Sequence, residues 1–84
     1  MKQIGKVTHY YNKLGVAIVE LDDTIKVGDR IRIERGKQVL EQAVTSVHKE
    51  HTPVERAGKG DVVGLKIEGQ VHDGATVSRL QEGE

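Results

Sequence analysis

The sequence predicts an all-β fold, and two observations lead to that prediction. Apolar and polar residues alternate with period two along much of the chain, most regularly in Arg30-Ile31-Arg32-Ile33-Glu34. Helical periodicity is scarce, and at residues 54–57 at most one turn fits before Gly58. About six or seven short strands at roughly 8–12-residue spacing predict a small closed barrel, because closure removes the sheet edges that promote aggregation.

Strands and turns can be assigned in chain order. The strands expected from the alternation cover residues 4–10, 15–21, 30–34, 39–47, 61–67 and 75–80. Turn-forming residues separate them at 12–15, 22–24, 27–29, 35–37, 69 and 73–74. The short Gly36-containing connection predicts a hairpin between the third and fourth strands.

Three later features interrupt the pattern. Val44 and Val47 are three residues apart and cannot share one face of a strand, so we expect a β-bulge near Thr45-Ser46. Pro53 lacks a backbone N–H and predicts an edge strand or a loop. Gly64 inside the fifth expected strand suggests close packing or sharp coiling there.

Length and composition limit what kind of protein this is. A chain of 84 residues predicts one domain over residues 1–80, with a frayed tail at 81–84. The absence of cysteine excludes disulfides, thiolate zinc sites and a cysteine nucleophile. The longest apolar run, Val16-Ala17-Ile18-Val19, is far shorter than a membrane span, so we expect a cytoplasmic protein with no membrane contact.

A catalytic or cofactor site is hard to assemble from these residues. Neither Ser46 nor Ser78 lies in a G-x-S-x-G elbow, and the chain has no P-loop ending in G-K-[ST]. His48 and His51 invite a metal assignment, but on a strand that spacing places them on opposite faces without a third ligand. The sequence therefore predicts a protein that is not an enzyme and has no catalytic residues, metal, nucleotide or other cofactor.

Charge and aromatic residues suggest a binding surface instead. Residues 1–37 carry eight basic and five acidic side chains, a net of +3, and the remainder carries −3. Tyr10 and Tyr11 could form a stacking platform for a nucleic-acid base, with Lys13, Arg30 and Arg32 binding phosphates. Alternatively, one tyrosine covers the barrel end, the other is simply exposed, and the basic face is an ordinary solvated surface.

The second expected strand predicts a different kind of contact. A strand with one solvated face should alternate, yet Val16 to Val19 are all apolar. Either Val16 and Ile18 or Ala17 and Val19 must therefore point outward. Such an exposed aliphatic strip, for which we name Val16 and Ile18, indicates a protein partner or a second copy of the chain.

Two segments carry a resemblance to known proteins. Residues 23–33 (DTIKVGDRIRI) and 54–65 (VERAGKGDVVGL), with Asp73-Gly74-Ala75-Thr76-Val77 at the end, resemble domain two of translation elongation factor Tu. The opening Ile4-Gly5-Lys6-Val7-Thr8-His9-Tyr10-Tyr11 is similar to the small C-terminal barrel of collagenase-like peptidases, a family also linked to RNA hydroxylation. The resemblance implies a six-stranded Greek-key barrel of the translation-factor domain-two type, with His48 where that family's nucleotide pocket lies.

These observations leave open two functional hypotheses from different classes, with a weaker third. The leading one is a non-catalytic module that binds RNA (tRNA or ribosomal RNA) or a ribonucleoprotein. The alternative is an accessory barrel that docks through the aliphatic strip onto a separate peptidase-like or RNA-modifying subunit. A hydrolase would be a third possibility, but it rests only on the related family's name.

Overall fold

The computed structural model describes residues 1–80, which form ten β-strands and no helix, and therefore no helix that could cross a membrane. The expected tail at 81–84 lies outside the described residues. In chain order the strands are β1 (Lys2–Tyr11), β2 (Val16–Leu21), β3 (Ile25–Lys26), β4 (Arg30–Arg35), β5 (Gln38–Ala43), β6 (Val47–Lys49), β7 (Thr52–Val54), β8 (Arg56–Ala57), β9 (Val62–Lys66) and β10 (Thr76–Leu80).

Eight of the strands form one antiparallel sheet in the order β5-β4-β10-β1-β2-β9-β6-β7, and β3 pairs with β8 in a second, two-stranded sheet. The prediction of an all-β fold is confirmed. Within residues 1–80, no backbone ladder joins the edge strands β5 and β7. The expected closed six-stranded Greek-key barrel is therefore not established by this strand pairing.

A side chain links two regions of the sheet that the ladders leave apart. The Gln42 side chain on β5 donates from Nε2 to the carbonyl of Lys66 (2.8 Å) and accepts from the Glu68 N–H (2.8 Å). Gln42 is buried. Its side-chain amide pairs with two backbone groups that a neighbouring strand would otherwise have to pair. The large sheet therefore curls until β5 lies beside the end of β9.

One apolar cluster fills the space inside the curled sheet. Its side chains come from the inward-facing positions of the strands and from the connecting loops. The buried apolar residues are Ile4, Val7, Ala17, Val19, Leu21, Ile25, Ile31, Ile33, Val44, Val47, Ala57, Val63, Leu65, Ile67, Val71, Ala75 and Val77. This core is wholly aliphatic, as the near absence of aromatic residues requires.

The hairpin of β4 and β5 follows the sequence pattern closely. Ile31 and Ile33 are buried while Arg30 is exposed, as period-two alternation predicts. Arg35 pairs with Gln38 across a two-residue loop, Gly36-Lys37. Gly36 has a φ of 61°, which suits the first central position of a type II′ turn.

The expected long fourth strand is wrong and is replaced by two strands. β5 ends at Ala43, residues 44–46 leave the sheet, and β6 begins at Val47 and pairs with β9. Val44 and Val47 are both buried, so the chain breaks the strand rather than bulging to place both in the core. Val44 instead exchanges backbone hydrogen bonds with Asp29 (2.7 Å) and Gly28 (2.8 Å).

The structure differs from the sequence prediction in β1 and at residues 54–57, and it agrees with the prediction at Pro53. Register shifts occur in β1, between Gln3 and Gly5 against β10 and between Val7 and His9 against β2, where none was predicted. Val54 ends β7, and Arg56 and Ala57 form β8 after a bend at Glu55, so the alternative of a helical turn there is wrong. Pro53 lies on β7, the edge strand at one end of the large sheet, as its missing N–H predicts.

Two turns share one construction. In Lys26-Val27-Gly28-Asp29 the Asp29 carboxylate accepts the Lys26 N–H (3.0 Å) while the Asp29 N–H returns to the Lys26 carbonyl (3.1 Å). Gly58-Lys59-Gly60-Asp61 repeats both bonds at 2.9 and 3.0 Å. Gly28 and Gly60 have φ values of 99° and 88°, which a type II turn requires at that position. The Gly-Asp pairs in the resemblance motifs are thus explained by turn chemistry.

Candidate interaction groove

The outward face of the large sheet carries an apolar depression of about 580 Å³, here called the outer-face groove. It crosses β2 and β9 and is bordered by the ends of β1 and the β6–β7 hairpin. Its lining consists of Tyr11, Leu14, Val16, Ile18, Ser46, His48, Glu50, His51, Val62, Val63, Gly64 and Lys66. The lining is mostly apolar, unlike an ordinary solvated sheet face.

The floor of the groove follows from the orientation of β2. Ala17 and Val19 are fully buried in the core, so Val16 and Ile18 point outward and are half-buried. The strip is therefore the Val16 and Ile18 pair, one of the two arrangements that the sequence allowed. Gly64 on β9 pairs with Ile18 on β2, and a Cβ at Gly64 would lie 3.3 Å from Val16 Cγ1. The missing side chain leaves the centre of the groove open.

Exposed apolar side chains form the walls. Tyr11 is 47% exposed, Val62 is 51% exposed and Leu14 is 64% exposed. The Tyr11 ring packs edge-to-face on His9 with 4.3 Å between ring centroids. Lys66 Nζ donates to the Leu14 carbonyl (3.0 Å) and so holds the β1–β2 turn against β9.

The β6–β7 hairpin forms the remaining rim. Lys49 pairs with Thr52, so Glu50 and His51 are the two central turn residues, with φ values of 52° and 66°. Positive φ at both positions is the signature of a type I′ turn, which glycine and asparagine favour. Because His51 lies in a turn, it borders the same groove as His48, and the expectation that they face opposite sides of a strand is wrong.

An ion pair anchors this rim to the start of β9. Lys49 Nζ lies 3.0 Å from Asp61 Oδ1, and Asp61 Oδ2 also accepts the Gly58 N–H (2.9 Å). The Gly58 hydrogen bond and then the Lys49 ammonium lower the pKa of Asp61 below its ordinary value. The hairpin is therefore held in place by a carboxylate that itself belongs to a turn.

Ser46 and the two histidines of the groove, His48 and His51, are not joined by hydrogen bonds within residues 1–80. Among the same residues no three histidine or acidic side chains are placed to share a metal ion. Among the described residues, the groove therefore contains no serine hydrogen-bonded to a histidine base.

The structure separates the residues of the nucleic-acid hypothesis. Tyr10 points away from Tyr11, packs on the core and donates its hydroxyl to the Gly69 carbonyl (2.9 Å). Arg32 is ion-paired with Glu41 (2.6 Å), and β10 and β1 stand between its strand and β2. Arg30 is exposed on that same distant strand.

Of the predicted contact residues, four reach the groove: Tyr11, Val16, Ile18 and His48. Lys13 is exposed in the adjoining β1–β2 turn. The sequence analysis missed Leu14, Val62 and Gly64. The Val62-Val63 pair, apolar on both faces like Val16 to Val19, was the available signal for Val62. The role of each residue in binding stays a prediction.

The chain is similar in sequence to part of one curated protein. A protein of Methanocaldococcus jannaschii named uncharacterized protease is 40% identical over 82 residues, which cover 95% of this chain and 20% of that protein. The chain thus spans about a fifth of the length of the curated relative that it matches. No family model matches the chain.

Two solved structures share the fold. Both are of the C-terminal domain of a Geobacillus thermoleovorans protein described as a U32 peptidase, the second as its selenomethionine variant. Their TM-scores are 0.88 and 0.87, each at 16% identity, covering 95% and 93% of this chain and 93% and 99% of theirs. These two structures support the predicted resemblance in fold to the C-terminal domain of such a protein. The resemblance to elongation factor Tu is not shown by them.

Proposed function

We propose that this chain is a non-catalytic accessory module that docks onto a peptidase-like protein through the outer-face groove. The observation that carries the proposal is the near-complete match of the chain to one fifth of a protein named as a protease. A segment that forms a small part of such a protein is suited to supporting a catalytic body rather than to replacing it.

The outer-face groove supplies the docking surface for the peptidase-like protein. Val62, Leu14 and Tyr11 are each about half or more exposed around a floor of Val16 and Ile18. Contiguous exposed apolar surface of this kind is typical of protein-protein contacts, where burial of such side chains drives association. We therefore expect the partner to present an apolar ridge.

The test compares two valines of matched exposure. Val62 in the groove is 51% exposed, and Val39 on β5, outside the groove, is 48% exposed. Val62→Arg places a charge in the proposed contact and should weaken binding by at least about tenfold, since one unpaired buried charge costs more than about 1.4 kcal/mol. Val39→Arg should change binding less than about twofold.

The binding partner in this test is the peptidase-like protein from the same genome that resembles the rest of the Methanocaldococcus relative. Complex formation is measured by size-exclusion chromatography and calorimetry with the purified proteins. No complex with the unmodified chain would refute the docking function, and equal binding of both valine variants would refute the role of the groove.

Binding measurements with RNA test the RNA hypothesis on the same purified chain. Its residues are dispersed, with Arg32 neutralised by Glu41, so we expect no salt-dependent binding of tRNA or ribosomal RNA fragments. Binding that weakens as salt rises would instead favour the RNA module. Peptide hydrolysis by the purified chain would contradict a non-catalytic role.

A further inference from the structure

A second surface feature lies on the small sheet, away from the outer-face groove. β3 and β8 pair through two residue pairs only, Ile25 opposite Ala57 and Lys26 opposite Arg56. Ile25 and Ala57 are buried in the core, so the pleat places Lys26 and Arg56 side by side on the outward face. Like charges directly opposite each other on a sheet destabilise it. The core register therefore forces two cations together.

Neither Lys26 nor Arg56 forms an ion pair within the described residues. Among residues 1–80, no carboxylate oxygen lies within 4.0 Å of the Lys26 ammonium or the Arg56 guanidinium. The Asp29 carboxylate borders the same depression, but one of its oxygens accepts the Lys26 backbone N–H (3.0 Å). The two adjacent positive charges thus remain available to a ligand.

Arg79 on β10 adds a third cation. Its Nη1 donates to the carbonyl and the hydroxyl of Thr24, which fixes the guanidinium in place. Its Nη2 lies 3.9 Å from Asp23, beyond hydrogen-bond distance, and Asp23 is itself engaged by Lys2 at 2.6 Å. Arg79 therefore offers a held donor group with hydrogen-bonding capacity left over.

The three cations border one depression of about 310 Å³, together with Thr24, Ile25 and Asp29. We infer that this depression is a binding site for a phosphate group, held by Lys26, Arg56 and Arg79. A phosphate dianion has more acceptor oxygens and more charge than a carboxylate, so it matches three cations that border one depression better. Binding relieves the repulsion between Lys26 and Arg56 that the fold otherwise imposes. The site is independent of the docking function proposed above.

The experiment titrates the isotope-labelled chain with inorganic phosphate near pH 7.5 at constant ionic strength set with sodium chloride. We expect saturable NMR shifts at the Lys26 and Arg56 amides and at the Arg79 side-chain Nε–H. Arg56→Gln should weaken the affinity at least about tenfold, the effect of losing one charge-assisted contact. The control Lys37→Gln, in the exposed β4–β5 loop, should change affinity less than about twofold.

A second measurement separates a built site from a general electrostatic attraction. Without phosphate, Arg56→Gln should raise Tm by roughly 1–4 °C because it removes the cross-strand repulsion. Phosphate should raise the Tm of the unmodified chain more than that of the variant, because the variant binds it more weakly. An Arg56→Gln variant with unchanged or lower Tm would contradict the imposed repulsion.

Titrations with phosphoserine, acetate, chloride and single-stranded RNA identify the ligand. Phosphoserine binding more tightly than inorganic phosphate would indicate a phosphate carried on a larger molecule, and the reverse order a free ion; both support the site. Acetate binding as tightly as phosphate would overturn the assignment to phosphate. Shifts no larger than those caused by chloride, equal losses in both variants, or binding of single-stranded RNA without binding of free phosphate would overturn the site itself.

Discussion

At the scale of single residues, Gln42 contributes more to the fold than its residue type suggests. It is one of two buried polar residues among those described, and its amide satisfies both the Lys66 carbonyl and the Glu68 N–H. Without it, two backbone groups at the end of β9 would be buried without partners. A polar residue in an expected strand gave no sign of this role.

Gln42→Met keeps the side-chain volume and removes both hydrogen bonds. We expect a loss of about 2–4 kcal/mol in the free energy of unfolding, because each unsatisfied buried group costs roughly 1–3 kcal/mol. Urea denaturation measures the loss. Gln38→Met, at an exposed position on the same strand, is the control and should change stability by less than about 0.5 kcal/mol. A Gln42→Met variant as stable as the control would contradict the bridging role.

Two aspartates make the fold sensitive to acid. The pKa of Asp23 is lowered chiefly by its contact with Lys2 and then by the Thr24 N–H, and the pKa of Asp61 by the Gly58 N–H and Lys49. Because the folded pKa values lie below the ordinary value of 3.8, both groups stabilise the fold above about pH 4. That stabilisation is lost as the pH falls from 3.8 through the folded pKa values.

The double variant Asp23→Asn/Asp61→Asn should have a lower Tm than the unmodified chain at pH 6, and the difference should shrink below pH 4. Calorimetric scans between about pH 6 and pH 2 test this. Asp22→Asn, an exposed neighbour outside both ion pairs, should follow the unmodified chain. A constant Tm difference across the whole range would show that the two carboxylates do not supply the pH dependence.

At the scale of elements, the two hairpin loops differ in how well their residues suit the turn. The β4–β5 loop uses Gly36 at its positive φ, whereas the β6–β7 loop holds Glu50 and His51 at φ values of 52° and 66°. A side chain in this region costs roughly 1 kcal/mol. Both strained residues border the outer-face groove, which is consistent with their retention for a contact rather than for stability.

Glu50→Asn/His51→Gly should therefore stabilise the chain by about 1 kcal/mol, seen as a Tm increase of roughly 4–8 °C. The control is Lys37→Gly in the other hairpin loop, where Lys37 does not have a positive φ and the added freedom of glycine should not stabilise. A destabilised double variant would mean that the Glu50 and His51 side chains make contacts that outweigh the backbone strain.

At the scale of the whole molecule, the sheet order places strands from the basic and acidic parts of the sequence beside one another. Strands from the first 37 residues and strands from the remainder alternate over much of the sheet, as in β5-β4-β10-β1. Arg32 from the basic part is paired with Glu41 from the acidic part. Pairing between strands that are distant in the sequence therefore brings the basic residues 1–37 and the acidic remainder side by side.

The sequence predicted the β-class, the β4–β5 hairpin, an edge strand or loop at Pro53, and an outward strip on β2 formed by one of two residue pairs. Each of these depends on local chemistry: alternation, a glycine in a tight loop, a missing N–H, or apolar residues on both faces. The sequence did not predict the break after Ala43. β5 ends there because Val44 and Val47 are both buried in a core that distant strands assemble.

What the sequence by itself determined is the local structure: extended segments, Gly-Asp turns and an aliphatic interior. What only the tertiary structure decided is which side chains meet. Gln42 reaches β9, Val62 and Gly64 join Val16 and Ile18, and Lys26 faces Arg56, all through partners far away in the chain. The physical reason is that strand pairing is non-local: the sequence specifies which face a side chain takes, but only the sheet order places one face beside another.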